Sequence, residues 1–183
     1  MRSNRMAASL SLLLAAIPVM AVADQGGAPA LRASALGATT PVHAFGHLLL
    51  AGQPGEADLA LARAHGTHTV VTLRLPDEAV GFDERAAAGR LDLEYHDVPW
   101  NGTAEQADAV FTEVRRLLNT TMEPLLLHCR TANRVGAVWI PWRVLDGGVP
   151  LETAVAEART IGLVSPDLEQ LARDYVQRAE ESR

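Results

Sequence analysis

The sequence predicts an α/β fold in which a central, mainly parallel sheet is flanked by helices and followed by a C-terminal helical cluster. Strand patterns alternate with helix patterns along most of the chain, which is typical of parallel sheets. The segments Thr67–Leu73 and Leu125–Leu127 are apolar or β-branched on both faces, as expected of buried central strands. Two amphipathic segments, Leu151–Ile161 and Pro166–Ala179, predict the final pair of helices.

Local patterns predict the remaining elements. In chain order these are a strand at 42–50, helices at 56–65 and 82–89, a strand at 91–100, and helices at 104–119 and 135–145. Gly66 suits the end of the first of these helices, and Thr103 with Gln106 forms a capping-box pattern before the third. Pro141 predicts a kink in the fourth, and Ser165 before Pro166 caps the last helix of the chain.

The N-terminal residues predict an export signal rather than part of the fold. Arg2 and Arg5 precede the apolar segment Met6–Met20, and Ala21-Val22-Ala23 provides a cleavage site. Residues 1–23 are therefore interpreted as a signal peptide, residues 24–40 as a flexible linker rich in Ala and Gly, and residues 41–183 as one globular domain. The expected location is an exported, periplasm-like compartment, without stable membrane contact after the signal is cleaved.

The composition of the chain argues against several classes of partner and cofactor. With 48% hydrophobic and 21% charged residues, the 183-residue chain suits one domain with a sizeable core. A net charge of -6 argues against nucleic acid as a partner. The histidines show no metal-binding spacing, so neither a metal nor another cofactor is expected. Cys129 is the only cysteine, and an exported thiol without a partner is a candidate reactive group.

The most informative segment is the Cys129 loop, residues Cys129–Arg134. It follows the buried strand Leu125–Leu127 and precedes a predicted helix. Backbone N–H groups and the positive end of a helix dipole converge at such a position, where they favour a bound anion. They also favour a thiolate over a thiol, and Arg134 adds a full positive charge. The pattern therefore predicts a thiolate nucleophile beneath a bound oxyanion.

The His128-Cys129 pair, the loop and Arg134 resemble the cysteine-dependent phosphatases of the dual-specificity type. Ala51-Gly52-Gln53-Pro54 and the strand Val70–Arg74 are similar to the bacterial group related to the beta-lactamase-hydrolase-associated phosphatase-like domain. The resemblance covers roughly residue 41 to the C-terminus and implies a protein-tyrosine-phosphatase-like fold. It implies hydrolysis of a phosphorylated protein or a small phosphomonoester through a cysteinyl-phosphate. It also implies that His128 orients the loop and is not the base.

The resulting site comprises catalytic and substrate-binding residues. The predicted catalytic residues are Cys129, Arg134 and Asp97, and the predicted substrate-binding residues are His128, Arg130, Thr131, Ala132 and Asn133.

The general acid of this site has more than one candidate. The family's acid is an Asp upstream of the cysteine, and Asp97 is nearest by count although it falls inside a predicted strand. In the family the acid follows the strand, and the corresponding position here falls near Asn101, which cannot donate a proton as an acid. Glu105 or Asp108, or no dedicated acid, remain alternatives. Arg74 and Glu78 leave a neighbouring strand toward the site, where they form either an ion pair that supports it or a solvated pair in the loop.

The loop departs from the family pattern in length and at Ala132. Four residues separate Cys129 from Arg134, one fewer than in ordinary tyrosine phosphatases and the same as in rhodanese sulfurtransferases. Ala132 stands where such loops carry Gly, so it either adopts a strained positive φ or the loop follows another path. A sulfurtransferase using a Cys129 persulfide and a weakly catalytic phosphate-binding module are therefore alternatives.

Overall fold

The computed structural model describes residues 29–78 and 80–182, which include a six-stranded mixed sheet and six helices. The strands are β1 (Arg32–Ala33), β2 (Val42–Phe45), β3 (Leu48–Ala51), β4 (Thr69–Thr72), β5 (Glu94–Asp97) and β6 (Leu125–His128). The helices are α1 (Glu56–Ala64), α2 (Glu84–Arg90), α3 (Ala104–Thr120), α4 (Asn133–Leu145), α5 (Leu151–Ile161) and α6 (Pro166–Glu181). The predicted signal peptide lies outside the described residues.

The sheet has the order β1-β2-β3-β6-β4-β5 and confirms the predicted fold class. β3, β6, β4 and β5 are parallel, whereas β1 and β2 add antiparallel pairs at one edge. β6 lies between β3 and β4, so its residues are buried on both faces, which explains the apolar run Leu125–Leu127. The carboxyl ends of the four parallel strands meet at one edge, from which the Cys129 loop leaves.

Two apolar clusters cover the two faces of the sheet. Alternate residues of one strand point to opposite faces, so Leu125 and Leu127 enter the larger cluster and Leu126 the smaller one. The larger cluster includes Phe111 of α3 and Trp139 of α4 and is covered by helices α3 to α6. The smaller cluster is covered by α1 and α2. The predicted C-terminal helical cluster is thus confirmed as one layer of the fold.

Two sequence predictions near the N-terminus are wrong. The single strand predicted at 42–50 is a hairpin, because Gly46 adopts a positive φ of 55° and reverses the chain between β2 and β3. The part of the predicted linker that the structure describes forms β1 and packs onto the domain. Leu36 is buried in the smaller cluster, and the Thr39 hydroxyl donates to Asp58 of α1 at 2.7 Å.

Other boundaries shift by a few residues. α2 begins at Glu84, because the side chain of Asp83 accepts from the backbone of Ala86 and starts the helix there. β5 is shorter than predicted, and α4 extends through Pro141. Among the described residues, no helix is both long enough and apolar enough to span a membrane.

Candidate active site

The Cys129 loop has the predicted strand–loop–helix setting. Cys129 follows β6 directly, and α4 begins at Asn133 after a short turn. The Cys129 side chain belongs to the larger cluster and is 1% exposed. The first-turn N–H groups of α4 have no acceptor within the helix, so they provide donors for an anion above the sulfur.

Ala132 adopts the left-handed conformation, with φ of 64° and ψ of 3°, at the N-terminal boundary of α4. Of the two predicted paths, the structure has the one with positive φ. The residue is fully buried and close to the α5–α6 connection, since a Cβ built on Gly162 would lie 3.0 Å from the Ala132 Cβ. A left-handed residue with a Cβ costs roughly 1–2 kcal/mol, so the loop turns at a position that is strained for alanine.

Arg134 is fixed at the carboxyl ends of β4 and β5. Its Nη1 donates to the carbonyl oxygens of Leu73 at 2.9 Å and Trp100 at 2.8 Å. The guanidinium also binds both carboxylate oxygens of Glu78, at 2.6 and 2.7 Å. Burial alone would lower the pKa of Arg134, but contacts with Glu78 and with the sulfur of Cys129 raise it. The guanidinium is therefore a permanent positive charge next to the nucleophile.

The structure has neither arrangement expected of Arg74 and Glu78, because each side chain pairs with a different residue. Glu78 folds back onto Arg134, and one of its carboxylate oxygens also accepts from the backbone N–H of Leu75 at 2.9 Å. The hydrogen bonds with Arg134 are the main reason that the pKa of Glu78 lies below its usual value. Arg74 instead donates to Glu84 of α2 at 3.0 Å, and both side chains are buried. Sequence reasoning missed Glu84, because nothing in its local pattern separates it from a surface helix residue.

His128 lies beneath the loop and not on its open side. It is fully buried, and its Nε2 is 2.8 Å from a carboxylate oxygen of Glu84, although the angle departs from that of a hydrogen bond. Its assignment to substrate contact is therefore corrected to a supporting position. The orienting role implied by the resemblance remains a prediction that this placement fits.

The structure places Asp97 on the wrong face of the sheet for a general acid. Val98 and Trp100 point into the larger cluster with Cys129, so Asp97 points to the opposite face. There it pairs with Arg85 of α2 and lines a cavity of about 460 Å³ between the strand ends and α2. The catalytic assignment of Asp97 is therefore wrong, because the alternation of β5 turns its carboxylate away from the nucleophile.

The two alternative acids are not better placed. Glu105 is fully exposed in the first turn of α3, and hydrogen bonds from its own backbone N–H and from Thr103 lower its pKa. Asp108 is exposed and binds Arg178 of α6 at 2.6 Å. Neither carboxyl contacts the Cys129 loop, because Glu105 is bound by groups of its own helix start and Asp108 by Arg178.

Some of the remaining loop residues are exposed where an anion would bind, and others hold the loop in place. Arg130 and Thr131 are exposed at the mouth of the loop. Asn133 uses its side-chain oxygen to accept from the backbone N–H groups of Val164 at 2.8 Å and Ser165 at 3.2 Å. Its side chain therefore ties α4 to the α5–α6 connection, which leaves its backbone N–H as the group able to bind an anion. Within the described residues, no cluster of potential metal ligands is present.

Solved structures with the same fold include phosphatases. One is a DUF442 protein from Shewanella putrefaciens CN-32, with 20% identity over 73% of this chain and 88% of that chain and a TM-score of 0.59. TpbA from P. aeruginosa, solved as a cysteine-to-serine variant with phosphotyrosine, has 19% identity over 84% of this chain and 91% of that chain and a TM-score of 0.60. Tk-PTP in its active form has 18% identity over 73% of this chain and 93% of that chain and a TM-score of 0.59.

These likenesses define the fold as that of the tyrosine and dual-specificity phosphatases, in agreement with the predicted resemblance. No protein-family model matches the sequence, and no curated protein matches it significantly.

Proposed function

We propose that this protein is a cysteine-dependent phosphatase that hydrolyses phosphomonoesters. The observation that carries the proposal is the position of Cys129, which lies at the end of a buried strand, beneath the N-terminus of α4 and near enough to Arg134 for the two groups to interact electrostatically. A phosphoryl group over this sulfur would meet backbone N–H donors and a guanidinium together. The phosphotyrosine complex of TpbA, which shares the fold, supports the same substrate chemistry.

The reaction follows from these groups. The Cys129 thiolate attacks phosphorus and forms an S–P bond while the P–O bond to the leaving group breaks. Arg134 and the loop N–H groups stabilise the negative charge on the equatorial oxygens. Water then attacks the cysteinyl-phosphate, the S–P bond breaks, and inorganic phosphate and the thiolate are released. Because Asp97 lies on the other face, the leaving oxygen takes its proton from solvent, which favours aryl phosphates over alkyl phosphates.

Parallel assays test this proposal against its main rival. An aryl phosphate should be hydrolysed by the wild-type protein and not by the Cys129→Ser variant. Thiosulfate with cyanide should yield no thiocyanate, since the loop length is the only feature that resembles a sulfurtransferase. Thiocyanate production without phosphate release would overturn the phosphatase proposal.

A second candidate is a phosphate-binding module with little turnover. The position of Asp97 favours it, because a binding module needs the anion site but no proton donor. Tight tungstate binding, with no release of phosphate from an aryl phosphate, would select this alternative.

We also propose that the protein acts after export, on phosphorylated proteins or small phosphomonoesters. The basis is the signal-peptide pattern of residues 1–23 in the sequence. Cell fractionation, with mass measurement of the mature N-terminus, tests this directly. Cleavage after Ala23 and recovery outside the cytoplasm are expected, and an uncleaved chain in the cytoplasm would contradict the proposal.

A further inference from the structure

Glu84 is a buried carboxylate that the reaction described above does not use. It is the first residue of α2, its side chain is 4% exposed, and α2 packs on the sheet face opposite Cys129. Burying a charge is costly unless the surroundings compensate it. Burial alone would raise the pKa of Glu84, yet contacts with His128, Gln53 and Arg74 bring it below its usual value. The carboxylate is therefore held ionised inside the protein.

The partners of Glu84 come from three neighbouring strand ends. His128 ends β6, with its Nε2 2.8 Å from one carboxylate oxygen. Gln53 follows β3 and Arg74 follows β4, and both donate to the other oxygen, at 3.3 and 3.0 Å. β3, β6 and β4 are adjacent in the sheet. Glu84 thus joins three strands at the edge from which the Cys129 loop leaves.

Two of these partners connect directly to the loop. His128 is bonded to Cys129, and the backbone N–H of Gln53 donates to the carbonyl oxygen of Arg130 at 3.1 Å. In a planar trans peptide, the C=O of one residue and the N–H of the next point in opposite directions. Because Gln53 holds the Arg130 carbonyl, the N–H of Thr131 points away from Gln53. The contact therefore sets the direction of one of the donors that would bind an anion.

We propose that Glu84 is a positioning residue for the anion site, acting through His128 and Gln53 on the backbone of the Cys129 loop. This inference rests on the proposed function only in that the loop must bind a phosphate-like oxyanion. A carboxylate that merely docked α2 would affect stability alone. A positioning carboxylate also affects how tightly the loop binds an oxyanion and how fast Cys129 reacts.

The Glu84→Gln variant tests the inference, with tungstate as the probe. Tungstate affinity is read from protection of Cys129 against iodoacetamide, and kcat and KM are measured with an aryl phosphate. Glu157→Gln is the matched control, because Glu157 also accepts from the buried Trp139 at 2.8 Å and the partly buried Arg143 at 2.7 Å, but lies on α5 away from the loop. Both variants should melt at a lower temperature than the wild type. Only Glu84→Gln should weaken tungstate binding, by about tenfold, the lower range for residues that orient binding groups.

Gln53→Ala is the second variant, for the case in which Glu84→Gln does not fold. It keeps the Arg74–Glu84 pair and removes the side-chain link from Glu84 to the segment beside the loop, together with the hydrogen bond from the Gln53 amide to the carbonyl oxygen of Pro54 at 2.9 Å. It should weaken tungstate binding and slow the alkylation of Cys129, while the melting temperature stays close to that of the wild type.

The outcomes separate this inference from the proposed function. The positioning role is overturned if a folded Glu84→Gln protein has the tungstate affinity and the alkylation rate of the wild type. If Gln53→Ala is the only soluble variant, the same result in that variant overturns it. A wild-type protein that binds no tungstate overturns the anion site itself and the proposed phosphatase with it. Weaker binding in Glu84→Gln and not in Glu157→Gln supports the inference.

Discussion

At the residue scale, the candidate site depends on a backbone strained at Ala132 and a guanidinium with several fixed contacts at Arg134. The positive φ of Ala132 turns the chain into α4. The contacts of Arg134 with Glu78, Leu73 and Trp100 hold its side chain beside Cys129. Both features belong to single residues, so single substitutions test them.

Ala132→Gly should strengthen anion binding and raise turnover. The left-handed conformation costs a residue with a Cβ roughly 1–2 kcal/mol, and glycine avoids this cost. The loop of the variant should therefore occupy the binding conformation more fully. Stability should change little, because the added freedom of glycine in the unfolded chain offsets the relief of strain. Vanadate affinity measured for both proteins checks this, and equal affinities would show that the strain does not limit binding.

Arg134→Lys should reduce kcat/KM by about a hundredfold or more, the scale of losing an oxyanion donor. An ammonium group cannot grip Glu78 and a phosphoryl group with the planar fork of a guanidinium. Arg143→Lys is the matched control, since Arg143 lies on the same helix and pairs with Glu157 at 2.7 Å, away from the loop. Steady-state kinetics of both variants provide the comparison. Near-normal activity of Arg134→Lys would place the anion elsewhere.

At the element scale, the site forms where β3, β6, β4 and β5 end at one edge. The Cys129 loop could be predicted from sequence, because its nucleophile, arginine and helix start are contiguous. The side chains that support this loop could not be predicted. Glu78 comes next to Arg134, and Glu84 next to His128, only through the folding of the β4–α2 connection. The prediction of Asp97 as the acid is wrong for a related reason, since spacing along the chain does not reveal which sheet face a side chain occupies.

α4 carries the loop, and its position depends on close packing at Gly136. A Cβ on Gly136 would lie 2.7 Å from the Ala158 carbonyl oxygen and 2.7 Å from the Leu163 Cβ. Gly136→Ala should therefore lower the free energy of unfolding by about 1–3 kcal/mol, as overpacking does. Gly89→Ala in α2 is the control, since beyond its chain neighbours and the backbone of its own helix no atom lies within 4 Å of its added Cβ. Denaturant unfolding of both variants should show a loss only at Gly136, and equal stabilities would contradict the packing account.

At the scale of the whole molecule, one sheet separates two layers with different tasks. Helices α3 to α6 enclose the nucleophile side, and α1 with α2 encloses the side that holds the buried carboxylates. The layer order could be predicted from the alternation of strands and helices. The packing of residues 29–40 could not be predicted, because their Ala- and Gly-rich composition does not indicate that Leu36 and Thr39 contact the domain.

The pH dependence of stability follows from carboxylates in both layers. Asp58, Glu78, Glu84 and Glu169 all have a pKa below the usual value in the folded protein. The unfolded chain therefore binds protons more tightly, so these groups stabilise the fold above about pH 4.5 and lose that contribution as pH falls further.

Melting temperature measured against pH should be level near neutrality and should fall below about pH 4.5. Asp58→Asn should show a shallower fall, because its carboxylate accepts from Thr39 at 2.7 Å and Gly55 at 3.1 Å. A wild-type melting temperature that stays constant down to pH 3 would contradict the assigned carboxylate contacts.

The central claim is that Cys129 attacks phosphorus, and the most direct test is to trap the covalent intermediate. The wild-type protein is mixed with an aryl phosphate, quenched rapidly in acid and analysed by peptide mass spectrometry. The account predicts a peptide containing Cys129 that has gained the mass of one phosphoryl group, and no such gain on that peptide in Cys129→Ser. Release of phosphate that persists in Cys129→Ser, with no phosphorylated Cys129 peptide in the wild type, would contradict it.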